Sequence, residues 1–138
     1  MDSQSPPIFI YSILLPIVWL LLSFALLAIT AEIELGVAGI IIAVNFSLFV
    51  LCWHFSRSFK RQFSNNEKLR LFIYNFLWMS LIRVLSLYGT SDNFTSEVLL
   101  YAGGIVLVID LAVIASSVFS VSNRFNHFWQ NRLSAKNT

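Results

Sequence analysis

One carboxylate, one guanidinium and one amide interrupt long apolar runs in this chain: Asp110, Arg83 and Asn45. A carboxylate in the middle of a bilayer costs on the order of 3 kcal/mol on insertion scales, so Asp110 needs a partner or a task. Counting 1.5 Å per helical residue, Asp110 lies roughly 18 Å from the start of its apolar run, Asn45 roughly 15 Å and Arg83 roughly 8 Å from the same side. The long Arg83 side chain can descend toward Asp110, and Asn45 can supply an amide between them. Two roles compete for this expected cluster, and the alternative to it is that Arg83 snorkels outward alone. In the structural one, Arg83 neutralises Asp110 and the cluster fixes the register of three helices. In the functional one, Asp110 exchanges protons or holds a cationic substrate. Asn75 is a further polar residue in the same run as Arg83.

The elements that position these groups follow from composition. The chain has 138 residues, 57% hydrophobic and only 12% charged, against about 25% charged for a water-soluble domain. Four apolar runs, 8–30, 35–55, 69–88 and 98–123, each approach the roughly 20 residues that a bilayer requires. The expected fold is all-α, a polytopic membrane protein with a four-transmembrane-helix up-and-down bundle in one domain, 1–138. Arg57, Lys60, Arg61, Lys68 and Arg70 fall between or beside the second and third runs, and Arg124, Arg132 and Lys136 follow the fourth. Glu32, Glu34, Asp92 and Glu97 flank the other two connections, which have no Lys or Arg. Positive charge stays cytoplasmic, which places both termini inside. The basic side chains are expected to hold topology and meet lipid headgroups. The net charge of +2 reflects that orientation and gives no support to nucleic-acid binding.

Several local features sharpen this expectation. Pro16 cannot donate to the Ser12 carbonyl, so the first span should kink there. The run is too long for the apolar part of a signal peptide and no Lys or Arg precedes it, which argues against cleavage. Thr30 to Glu34 is expected to form a tight turn. Phe55, Phe59 and Phe63 recur every fourth residue, which predicts that the second helix continues past the membrane. Ser64-Asn65-Asn66-Glu67 has the spacing of a capping box. Gly103, Asp110 and Ser117 repeat every seven residues, and Ala112, Ser116 and Ser120 every four, which predicts the fourth span as the central helix. Ser80 and Ser86 share a face with Arg83. The tail 124–138, with Phe125, Phe128, Trp129 and Leu133 on one face, is expected to lie along the headgroups. Asn93-Phe94-Thr95 is a formal glycosylation sequon too close to the membrane to matter.

Enzymatic chemistry finds no motif. His54 and His127 lack the neighbours of a metal site, Ser116 and Ser117 lack a base, and a second intramembrane acid is missing for an aspartyl protease. Cys52 is a single thiol without an internal partner and reads as a small apolar residue. No cofactor is implied, and the protein is expected not to be an enzyme.

The segment Phe55-Ser56-Arg57 through Arg61-Gln62-Phe63-Ser64-Asn65-Asn66-Glu67-Lys68-Leu69-Arg70 resembles the loop of a family of small, uncharacterised bacterial four-span membrane proteins, where a basic Arg-x-Phe-(Ser/Thr)-x-x-Glu segment joins the middle spans. The resemblance covers under a fifth of the chain. It implies a bacterial inner-membrane location and brings no site residues. The functional expectation is an accessory, interaction or immunity-type protein acting through helix contacts on a membrane-protein partner or as a homo-oligomer. The alternatives are a small oligomeric transporter or proton-coupled exporter using Asp110, and a holin-like pore.

Overall fold

The computed structural model describes residues 6–29, 37–90, 92 and 94–136. The expected turn around Glu32 and Glu34, and Asn93 of the sequon, lie outside them. Among the described residues there is no strand, and four helical stretches are long and apolar enough to cross a membrane: Ile8–Leu26, Ala38–Phe59, Asn65–Gly89 and Ser96–Lys136. The elements in chain order are α1 (Ile8–Ser12), α2 (Leu14–Ile29), α3 (Val37–Phe59), α4 (Asn65–Thr90), α5 (Ser96–Ser116), a π-helical turn (Ser117–Val121) and α6 (Ser122–Lys136). Cross-helix contacts give alternating directions: Tyr11 meets His54, Phe72 meets Phe119 and Arg83 meets Asp110.

The break between α1 and α2 falls at Ile13, beside the Ser12 carbonyl that Pro16 cannot serve. The Ser12 hydroxyl donates to the Phe9 carbonyl at 2.6 Å and accepts the Trp78 indole N–H at 3.2 Å. A side chain of α4 therefore braces the kink through the Ser12 hydroxyl rather than through the Ser12 carbonyl.

The central helix is α3, which corrects the expectation that the fourth span occupies the middle. Among the described residues, seven of the fifteen that form the core belong to α3: Ile40, Ala43, Val44, Leu48, Leu51, Cys52 and Phe55. Their spacing of three and four keeps one continuous stripe facing the other helices. The fourth stretch contributes only Ile114 and Val118 to that core. Its small residues serve a close pairwise approach instead, since a Cβ at Gly103 would meet Leu87 Cδ1 of α4 at 3.0 Å.

The second helix does continue past Phe55, but only to Phe59, so the continuation does not reach Phe63. The helix stops at Phe59 because Lys60 adopts φ 52°, the left-handed conformation that ends helices. The chain reverses and lays Phe63 back on Phe55, with ring centroids 4.0 Å apart. Ser64 and Glu67 then start α4 as a reciprocal capping box: the Ser64 N–H donates to Glu67 Oε2 at 2.8 Å, and the Glu67 N–H donates to Ser64 Oγ at 3.3 Å.

The tail does not leave the bundle. The π turn joins α5 to α6 without a break; the Ser122 N–H reaches back five residues to the Ser117 carbonyl. α6 packs along α3 through Phe49, Phe125, Phe128 and Trp129, and the Trp129 indole donates to the Phe49 carbonyl at 3.2 Å. The aromatic face read as lipid-seeking is partly spent on α3.

Candidate functional site

Asp110 projects from α5 into the bundle and is 1% exposed. Arg83 approaches from the antiparallel α4 and pairs with it side-on, Nε to Oδ2 at 2.9 Å and Nη2 to Oδ1 at 3.3 Å. Two parallel N–H donors on one carboxylate give the strong, orienting form of this pair. The Trp19 ring of α2 lies 5.6 Å from the Arg83 Cζ, a distance at which the aromatic face attracts the cation. Carboxylate, guanidinium and indole thus tie three helices together at one level. Beside Arg83 a cleft of about 170 Å³ opens between α4 and α5, with Ser86, Ala102 and Gly103 in its walls.

Asn45 does not join them. Its Nδ2 donates to the Ile41 carbonyl of its own helix at 2.8 Å, a local bond that satisfies the amide without crossing to a neighbour. The expected three-residue cluster is therefore a pair, with Trp19 in the place given to Asn45. Sequence reasoning missed Trp19 because an indole in an apolar run carries no mark that separates it from packing.

A second polar group lies at the basic end and was not foreseen as a unit. Lys68, read as a headgroup contact, is only 7% exposed and donates to Asn123 Oδ1. Ser56 Oγ lies 3.5 Å from Asn126 Oδ1, and the Cys52 thiol faces the Ser122 carbonyl at 3.7 Å. Ser47, Asn75 and Ser117 are buried as well. Asn75 Oδ1 and Asn126 Nδ2 have no hydrogen-bond partner among the described residues. The available signal was the row Ser122, Asn123, Asn126 at helical spacing, facing α3 and α4.

The other expected headgroup residues stay outside. Arg57 lies over Trp53, Arg61 over Phe55 and Phe59, and Arg132 over Phe128, at 5.2 to 5.9 Å from the ring centres; Lys60, Arg70 and Arg124 are exposed. Arg61 also forms a two-point ion pair with Glu67, at 2.6 and 2.9 Å. That hydrogen bonding raises the Arg61 pKa above its ordinary value. His54 accompanies Tyr11 at 3.1 Å and His127 accompanies Gln62 at 3.4 Å. Among the described residues no three His, Cys, Asp or Glu side chains converge as a metal site. Comparison with protein-family models, curated proteins and solved structures finds no match to this chain.

Proposed function

We propose that this chain is a multi-pass protein of a bacterial inner membrane, with both termini cytoplasmic, that acts as an accessory or immunity-type protein through helix contacts with another membrane component or a second copy. The observation that carries this reading is the closed pairing of Arg83 with Asp110. Charge at membrane depth is spent on register, and the outward helix sides carry large apolar groups such as Phe24, Leu85, Leu100 and Val108. Such faces meet lipid or another helix. The charge distribution supports the orientation, and the resemblance in the basic loop supports the bacterial origin.

Mild-detergent affinity isolation from native membranes tests this. A partner recovered in fixed ratio, or a defined homo-oligomer, is the expected result; a lone monomer in every mild condition would overturn it. A second reading, a small proton-coupled exporter, draws on the cleft beside Arg83, which leaves that side chain 22% exposed. It expects Asp110→Asn to keep normal abundance in the membrane and abolish pH-dependent flux in vesicles. The register role expects abundance to fall.

A further inference from the structure

At the basic end, a cleft of about 500 Å³ lies between the ends of α3 and α6. Arg57, Lys60 and Lys136 line it, together with the Ser56 and Ser134 hydroxyls and Leu133. We infer that this cleft binds the phosphate of an anionic lipid headgroup.

Charge accounting is the first argument. Among the described acids, Asp92 and Glu97 lie at the opposite end, Asp110 is paired with Arg83, and Glu67 is held by two bonds to Arg61. No described acid lines the cleft. Three cations therefore line one space with no described carboxylate among them, offset only by the partial negative charge at the C-terminal ends of α3 and α6, and an entering anion relieves their mutual repulsion. The second argument is position: Lys60, whose left-handed backbone ends α3, is exposed and lines the cleft one turn after Arg57. The Ser134 hydroxyl in the lining adds a neutral donor, while that of Ser56 is directed at Asn126 Oδ1.

The source of the phosphate follows from what stands next to the cations. Trp53 and Trp129 lie with ring centres 6.3 Å apart, and the Arg57 guanidinium sits 5.8 Å over Trp53. Tryptophans collect at headgroup level in membranes, so the three cations sit at the depth of lipid phosphates. Leu133 offers an apolar wall for the glycerol and upper acyl carbons. Basic pockets between helices on the cytoplasmic side recognise anionic headgroups by this combination.

The inference rests on the membrane-spanning reading, and the test separates the two. Full-length protein is floated with phosphatidylcholine vesicles, then purified in mild detergent and titrated with phosphatidylglycerol or phosphatidylcholine under native mass spectrometry. Wild type should float and should retain phosphatidylglycerol in preference. The Arg57→Gln/Lys60→Gln/Lys136→Gln variant should float equally and lose that preference by about tenfold or more. Arg70→Gln/Arg124→Gln/Arg132→Gln, with the same change in charge outside the cleft, should keep it. Equal loss in both triples overturns the cleft as a site, and displacement by inorganic phosphate alone overturns the lipid as its occupant. Wild type that floats without preference sinks this inference only; wild type that fails to float sinks the membrane reading with it. If the first triple does not float, Lys136→Gln on the exposed last turn carries the test, with a several-fold loss expected and an unchanged preference counting against the cleft.

Discussion

Around Arg83 one guanidinium meets one carboxylate at 2.9 and 3.3 Å under a tryptophan ring, while around Lys68 an ammonium meets a neutral amide among serines, asparagines and a thiol. Both regions place a cation inside an apolar bundle. In the first, the opposite charge is fixed in geometry, so the two groups depend on each other. In the second, several weak dipoles share the load and two polar atoms are left without described partners. Concentrated and distributed solutions to the same desolvation problem should respond differently when one member is removed.

The largest effect expected is at the concentrated site. Arg83→Met leaves Asp110 buried and alone and should cost about 3–5 kcal/mol, the range for breaking one side of a buried pair. Adding Asp110→Leu should recover most of it, measured as folded fraction under graded denaturing detergent. Additive losses in the double variant would break the comparison. Next is Phe55→Ala, which removes a fully buried ring stacked between Phe59 and Phe63 and should cost about 3 kcal/mol; this sets the scale of packing near the basic end against its polar contacts. Ser64→Ala removes half of the capping box and should cost about 1 kcal/mol, with faster amide exchange confined to the first turn of α4. The smallest effect is Lys68→Met. A neutral partner loses little, and a buried charge disappears, so stability should change by less than about 1 kcal/mol in either direction. A loss as large as that of Arg83→Met would show that Lys68 has a stronger counterpart than Asn123.

The parts legible in the sequence were those governed by one strong local term. Charge in an apolar run is costly enough to demand a partner, and helix rise puts Arg83 and Asp110 within reach, but position alone left open whether the side chains touch, since a long arginine can also snorkel outward. The capping box was more fully legible because Ser64 and Glu67 act within four residues. Where two local patterns gave the same spacing, the reading went astray. Phe55, Phe59 and Phe63 stack whether the chain continues as a helix or folds back, and only the left-handed turn at Lys60 decides between them. Asn45 illustrates the opposite problem: its own helix offered a carbonyl four residues back, so no long-range partner was needed. The burial of Lys68 and Asn126 depends on how α6 meets α3 and α4, which no single helix face specifies.

The π turn at Ser117–Val121 has a consequence for insertions and deletions. A residue added to or taken from an α-helix turns everything downstream by about 100°. α5 must aim Asp110 at Arg83, while α6 must aim Ser122, Asn126 and Trp129 at α3. The wider turn acts as a phase adjuster between these two demands along one unbroken rod. Length changes confined to that turn would swing α6 off its neighbour and spare the ion pair, whereas the same change between Gly104 and Asp110 would mis-aim Asp110 and everything after it.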